Sequence, residues 1–387
     1  MTLKNINSVL LLGTDNMVAL PVIRALGALI PNAAIHTLSY DHNKINNPEY
    51  SKYVHRRHYL ELEKNDELVK KLINKIEETG AQILFPIDER DVRILSLSRH
   101  KLKNHVYLPP LPEASTLDKL VYKNRLADFL QNNDFPYAAT YRLDRLNTAA
   151  IDDEFYPYLL KPIRGSSGQN IKRVDNKNEL AESLLKLDSR NYILQELIPG
   201  QNFSCSLLAK NGNIQAETIQ QGLASRDFNF STAIRFVENE AVSEVTRQII
   251  KTTNYSGLAN LDFRLDERDH QPKLIDFNAR FWSNISGAKI AGVDFVFLAC
   301  LAAMNIPFKK PVSNGNTYLM GRNILNYYCE KILRPVSNGD TNSTYTDLWE
   351  RINDPLPEVV RLIRSKSPSA RSAKPEVPRD ILTYQGI

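Results

Sequence analysis

LANLDFRLDERDHQPKLIDFNARFWSNISGAK, residues 258–289, is the stretch around which the chain is organised. Two short apolar runs, 258–265 and 273–278, flank a charged turn, DERDHQP, and the alternation predicts a β-hairpin. Asp262 lies in the first run; Asp276 and Asn278 close the second. Being two apart, Asp276 and Asn278 share a face of a strand. A carboxylate from one strand and a carboxylate plus an amide from its partner make an all-oxygen set. Mg²⁺ takes such a set when substrate phosphates supply its remaining ligands. Arg280, two further along, is placed to hold an anion beside the ion. The same residues also suit the polar face of an ordinary hairpin, since Asp and Asn are common at strand ends.

Working outward, a second group of residues points to phosphate. Lys161 closes the hydrophobic strand YLLKP, and a lysine at the end of a buried strand is costly unless a fixed anion meets it. Gly165-Ser166-Ser167-Gly168 follows directly, small enough for backbone N–H groups to approach an anion and rich in hydroxyl donors. The spacing is not that of a Walker loop, and a lone Gly/Ser loop also reads as a plain turn. Lys123 sits in an expected helix over 116–132. Gln195-Glu196-Leu197 follows a short apolar strand whose edge suits an adenine, with a side-chain amide to read its amino group.

The order of these parts resembles the ATP-grasp superfamily. LDKLVYK (117–123) resembles the stretch before the central phosphate-binding lysine of D-alanine–D-alanine ligases. LLKPIRGSSGQNIKRV (159–174) is similar to the second lysine and flexible glycine-rich loop, and LQELIPGQNFSCSLL (194–208) to the adenine hinge. NLDF (260–263) and LIDFNAR (274–280) resemble the metal-binding strands. FWSNISGAKIAGVDF (281–295) resembles a stretch of carbamoyl-phosphate-synthase-like ATP-grasp proteins. The resemblance covers about residues 8–305. It implies a fold of mixed α/β and α+β class: a pre-ATP-grasp parallel-sheet domain over 1–114, then a two-lobed ATP-grasp domain over 115–310. The small lobe would span about 137–198 and the large lobe about 199–310.

The resemblance also implies roles. Lys123 and Lys161 hold ATP phosphates, and Ser166, Ser167 and Gly168 close over them. Gln195, Glu196 and Leu197 hold adenine, and Asn202 the ribose. Asp262, Asp276 and Asn278 bind one or two Mg²⁺ or Mn²⁺. Arg280 steadies the transferred phosphoryl group, and Asn260 also contacts phosphate. The implied activity is an ATP- and Mg²⁺-dependent ligase that activates a carboxylate as an acyl phosphate for attack by an amine or thiol. The chain departs from the family at Asn202, where Glu is usual, at Asp276, one methylene shorter than the usual Glu, and at Ser283-Asn284, where a glycine is missing. These departures leave a second reading open, an ATP-binding regulatory or scaffold protein with little or no activity. Arg90, Arg226 and Arg235 are candidates for recognising a substrate carboxylate.

Composition sets the bounds. The chain has 387 residues, 42% hydrophobic and 24% charged, ordinary for a globular protein long enough for two or three domains. The net charge of +5 is too mild to imply nucleic acid. Cys205, Cys300 and Cys329 are far apart and show no metal or disulfide spacing, and the histidines show no metal spacing. His55 and His58, in a basic stretch, read as surface residues. No run approaches the ~20 apolar residues of a membrane span. A cytoplasmic protein acting on small molecules, without membrane or nucleic-acid partners and with a homodimer as the implied assembly, is expected. Residues 8–115 alternate strands with helices, which suggests a parallel sheet. Residues 311–387 form a C-terminal extension whose 365–380 stretch is Ser/Pro/Lys/Arg-rich, with the composition of a solvated tail.

Overall fold

A computed structural model describes residues 3–40, 47–63, 65–145, 151, 156–165, 168, 170–225, 231–320 and 344–365. The described residues of Met1–Pro109 and Trp349–Ile387 form one compact unit, and those of Pro110–Leu348 form a second.

The first unit is a parallel α/β sheet. Strands β1 (Ser8–Leu12), β2 (Ala34–Ser39), β3 (Val54–Tyr59) and β4 (Ile83–Pro86) stand in the order β3-β2-β1-β4. Helices α1 (Ala19–Leu29), α2 (Asn65–Thr79) and α3 (Glu89–Leu102) connect or follow them. β1 is wholly apolar apart from Ser8 because both of its faces are covered, as in a parallel sheet. The Gly13 turn after β1 adopts φ +84°, and the space a Cβ would take is filled by the Asp91 carboxylate. An aspartate N-cap at Asp88 starts α3.

Two sequence expectations are corrected here. Residues 106–108 contribute only a bridge, Tyr107 beside Ile83, and no strand. His58 is not a surface residue: it lies in β3, buried, with its ring 3.0 Å from the ring of His36 on β2. The basic residues around it hid the strand, because edge strands carry charge on their exposed face.

In the second unit the expected helix over 116–132 is two helices, α4 (Ala114–Val121) and α5 (Lys123–Asn132), broken at an extended Tyr122. A four-stranded sheet follows, ordered β5-β8-β6-β7, from β5 (Thr140–Arg142), β6 (Tyr158–Pro162), β7 (Lys172–Val174) and β8 (Tyr192–Glu196). Tyr158, Leu160, Val174 and Leu194 form its core face, with Leu180 of helix α6 (Lys177–Leu184). The second sheet is seven-stranded. It contains β9 (Gly200–Lys210), β10 (Asn213–Ser225), β11 (Ser231–Val237), β12 (Gly257–Asp266), β13 (Pro272–Asn278), β14 (Thr317–Leu319) and β15 (Thr344–Thr346). The order is β13-β12-β9-β10-β11-β14-β15. Helix α7 (Glu240–Thr252) packs on β9 and β10 and precedes the β12–β13 hairpin. The stretch 286–304, which reads from its sequence as one helix, is instead α8 (Ile285–Ile290) and α9 (Phe295–Ala303), with Gly292 at φ +97° between them. Helices α10 (Leu348–Asn353) and α11 (Leu356–Ser365) end the described chain. The expected tail beyond residue 365 lies outside the described residues.

Between α10 and α11, Asp354 is fully enclosed in the first unit. Arg24 Nε donates to Asp354 Oδ2 at 3.0 Å, Ser51 Oγ to the same oxygen at 2.7 Å, and the Lys52 N–H to Oδ1 at 2.9 Å. Helix α1 and the 51–52 turn are thereby tied to the α10–α11 segment. Among the described residues no helix is long and apolar enough to cross a membrane.

Candidate functional site

Strands β12 and β13 pair antiparallel, with Asn260 opposite Asn278 and Asp262 opposite Asp276. Beyond this point the register slips: Phe263 pairs with Leu274, so Ile275 is a β-bulge. The bulge decides where Asp276 points. In a regular strand Leu274 and Asp276 would share a face, and Leu274 is in the core. The extra residue reverses the parity, turning Asp276 and Asn278 to the side of Asp262 while Leu274 and Phe277 stay buried.

The site face of β12 is held by hydrogen bonds from β9. Ser204 stands opposite Asp262 and donates to its Oδ1 at 2.8 Å; Ser206 stands opposite Asn260 and donates to its Oδ1 at 2.8 Å. Asn260 Nδ2 donates to Asp262 Oδ1 and Asn278 Nδ2 to Asp262 Oδ2, both at 3.0 Å. Arg280 donates to Asn278 Oδ1 at 3.1 Å and to the Phe281 carbonyl at 2.9 Å. Burial and the Asp276 carboxylate push the Asp262 carboxyl up to about 6. Burial first, and the facing Asp276 carboxylate second, leave the charged form of Asp262 short of positive charge. A hard dication relieves that shortage, and two carboxylates with amide oxygens beside them are its ordinary donors. The donor set fits Mg²⁺ with substrate oxygens completing the shell. Among the described residues no group of three or more His, Cys, Asp or Glu is arranged around a metal position; the oxygen donors this face would offer are two carboxylates and amides.

Both lysines reach this neighbourhood from other elements. Lys123, first residue of α5, is buried, and its Nζ lies 3.0 Å from Asp276 Oδ1 and 3.3 Å from the Gly165 carbonyl. The break at Tyr122 makes this possible: it restarts the helix at Lys123, whose N–H bonds the Ile163 carbonyl at the root of the Gly/Ser loop. Lys161, on β6, is buried and brought down to about 8 by burial and by the charge of Lys123. Its Nζ donates to Gln195 Oε1 at 2.6 Å. Gly168 adopts φ +68°, a conformation that favours glycine, whereas Ser166 and Ser167 lie outside the described residues.

At the hinge, Glu196 is buried and its carboxylate is engaged by Arg268 at 2.5 Å and by the Ala139 N–H at 3.2 Å. The Leu197 N–H bonds the Pro157 carbonyl at 3.2 Å. Asn202 Oδ1 accepts from Arg264, opposite it on β12, at 2.7 Å, and Arg264 Nε also holds the Ile198 carbonyl at 3.0 Å. The structure thus joins Asn260, Asp262, Asn278 and Arg280 in one hydrogen-bonded network, sets the Lys123–Asp276 pair beside it with Asp276 opposite Asp262, places Lys161 with Gln195, and joins Asn202 to Arg264. Of the carboxylate candidates, Arg90 lies in the first unit, stacked 4.0 Å from the Tyr40 ring centroid and 3.6 Å from Asp15. Arg235 lies on β11 opposite Gln221 and Thr317. Arg226 falls outside the described residues.

Sequence reading missed Ser204, Ser206, Thr140, Arg264 and Arg268. The alternation in NFSCSLL carried a signal for the two serines: small polar residues at period two beside a candidate metal strand. Nothing in the sequence pairs Arg264 with Asn202 or Arg268 with Glu196, because those contacts depend on strand register.

Residues 118–284 match the family model described as an ATP-grasp domain. No curated protein matches the chain significantly. Among solved structures, the L-amino acid ligase from Bacillus licheniformis is 19% identical with a TM-score of 0.60, over 79% of this chain and 75% of that one. The N5-carboxyaminoimidazole synthetase from Staphylococcus aureus, complexed with ADP, is 14% identical with a TM-score of 0.63, over 85% and 88%. The biotin carboxylase domain of Hydrogenobacter thermophilus 2-oxoglutarate carboxylase, a dimer complexed with MgADP and bicarbonate, is 17% identical with a TM-score of 0.61, over 80% and 72%. At these identities the likeness establishes the fold.

Proposed function

We propose that this chain, whose residues 118–284 form an ATP-grasp domain, is an ATP- and Mg²⁺-dependent ligase that joins a carboxylate to an amine. The observation that carries the reading is the juxtaposition of the Lys123–Asp276 ion pair with the Asp262–Asn278 hydrogen bond across one strand pair, with a second buried lysine, Lys161, whose charge feels both aspartates. Buried ammonium groups and facing carboxylates are each costly alone. Together they suit a ligand that brings phosphates and a dication at once.

In this reading Lys123 and Lys161 hold the ATP phosphates, with the loop at Gly168 and its serines over them. The hinge residues Gln195, Glu196 and Leu197 lie beside adenine, and Asn202 with Arg264 faces the ribose. Asp262, Asp276 and Asn278 would hold Mg²⁺, which supplies charge neutralisation at the phosphates. A carboxylate oxygen attacks the γ-phosphorus, the bond to the ADP oxygen breaks, and an acyl phosphate forms. Arg280 neutralises charge on the transferred group. The amine then attacks the acyl carbon, phosphate leaves, and the amine loses a proton. The protein contributes positioning and fixed charge and needs no covalent nucleophile of its own. The neighbours complexed with ADP or MgADP support the nucleotide and the ion, and the L-amino acid ligase supports the reaction class. A cytoplasmic homodimer completes the reading.

The test is release of ADP and phosphate from ATP with Mg²⁺ across pooled carboxylic acids, amino acids and amines. Release that requires both an acid and an amine is the expected result. Release with an acid alone and a stable phosphorylated product overturns the ligase in favour of a kinase.

A further inference from the structure

In the four-stranded sheet, residues that alternate with the core face are turned to the other side. Thr140 on β5 stands directly opposite Gln195 on β8. On β6, Leu159 stands opposite Gln195 and Lys161 opposite Ile193, so Lys161 and Gln195 are diagonal neighbours on one face. Three hydrogen bonds join them in series. Lys161 Nζ donates to Gln195 Oε1 at 2.6 Å, Gln195 Nε2 donates to Thr140 Oγ1 at 3.1 Å, and Thr140 Oγ1 donates to the Ala138 carbonyl at 2.8 Å.

The direction of the series follows from proton count. A threonine hydroxyl has one proton, and here it is given to a carbonyl, which can only accept. Toward Gln195 the hydroxyl is therefore an acceptor, so the amide must present its NH₂ to Thr140 and its oxygen to Lys161. Reversing the amide would set an NH₂ against an ammonium and leave two donors facing each other. An amide also holds the ammonium without neutralising it, whereas a carboxylate at this position would compete with an incoming anion. The ammonium needs such a holder. Lys123 and Arg264 are the like charges around it, and Asp276 and Asp262 are the acids that face it.

We propose that Thr140 and the side chain of Gln195 are positioning residues for Lys161: the hydroxyl fixes the orientation of the amide, and the amide aims the ammonium at the phosphate-binding position with its charge intact. The proposal rests on the reading that Lys161 binds nucleotide phosphate. It gives the Gln195 side chain a task other than reading adenine.

The experiment compares full-length wild type with Thr140→Val, Thr140→Ser and Lys161→Met. ATP affinity is measured by calorimetry between pH 6.5 and 9.5. In parallel, the pH dependence of Lys161 labelling by an amine-reactive anhydride is read by peptide mass spectrometry without nucleotide. Thr140→Val is nearly isosteric and removes only the hydrogen-bonding oxygen. The expected results are a five- to tenfold loss of ATP affinity, the scale of the single hydrogen bond that orients the amide, and a labelling midpoint moved to lower pH. Thr140→Ser restores both. Wild-type affinity and midpoint in Thr140→Val, or a Thr140→Ser variant as impaired as Thr140→Val, overturns the proposal. If Lys161→Met binds ATP like wild type, the phosphate reading falls and takes the proposal with it. If Lys161→Met is weakened while Thr140→Val is not, the proposal alone falls.

Discussion

Lys123 is paired with Asp276, and replacing it with methionine should strengthen metal binding measured without added nucleotide. The ammonium lies 3.0 Å from Asp276 Oδ1, with Lys123 buried and Asp276 23% exposed. A dication that arrives alone must take Asp276 from Lys123 and leave a buried ammonium whose remaining hydrogen-bond partner among the described residues is the Gly165 carbonyl. A charge-assisted hydrogen bond contributes about 1.5–3 kcal/mol net. At about 1.4 kcal/mol per factor of ten, its loss costs the incoming metal roughly a ten- to hundredfold in affinity. Lys123→Met removes that competitor and leaves both carboxylates facing each other without an ammonium, so Mn²⁺ should bind at least tenfold more tightly. Mn²⁺ titration followed by electron paramagnetic resonance gives the affinity directly, and the Mn²⁺-dependent rise in melting temperature gives a second reading. The reciprocal variant, Asp276→Asn, releases Lys123 and should raise affinity for metal-free ADP. Mn²⁺ affinity in Lys123→Met equal to or below wild type would refute the idea that the lysine occupies the metal carboxylate.

Three further predictions concern other groups. Asp262 has its carboxyl raised to about 6 in the folded chain, above its ordinary value near 4, so ionising it opposes folding. The metal-free protein should lose roughly 1–3 kcal/mol as pH rises from about 4 to 6, a loss absent in Asp262→Asn; parallel denaturation curves for the two proteins across that range would count against this. Lys161, brought down to about 8, loses its charge as pH rises through that value. ATP affinity should fall in the same range, and Lys161→Met, already weak, should show no such fall by calorimetry. In the first unit, Asp354→Ala leaves Arg24 buried without its carboxylate and should cost about 3–5 kcal/mol; a urea midpoint unchanged from wild type would show that the clamp carries no stability.

Much of the site was legible from residue types in order. A lysine closing an apolar strand, a Gly/Ser loop, and Asp-x-Asn at the end of a hairpin are each costly arrangements without an anion or a cation to meet them, which makes them visible at the level of residue chemistry. Partners set by register were not legible. Ser204 meets Asp262 because β9 and β12 pair as they do, and Arg264 meets Asn202 for the same reason. The lone strand missed in the first unit, β3, carries His-Arg-Arg-His, and charge on its exposed face masked its β pattern.

The sequence by itself determined the succession of elements, the identities of the two lysines and the two facing carboxylates, and the ATP-grasp character of the middle of the chain. Only the tertiary structure decided which way these groups point. The Ile275 bulge turns Asp276 from the core side to the site, and the break at Tyr122 delivers Lys123 to it. The proton of Thr140, given to Ala138, orients Gln195 under Lys161. Each of these depends on one residue: a one-residue slip in the hairpin, a one-residue break between two helices, or one hydroxyl bridging a carbonyl and an amide on the neighbouring strand. A local pattern of hydrophobic and polar residues carries no record of such a slip, because it changes which side chains face one another without changing the pattern itself.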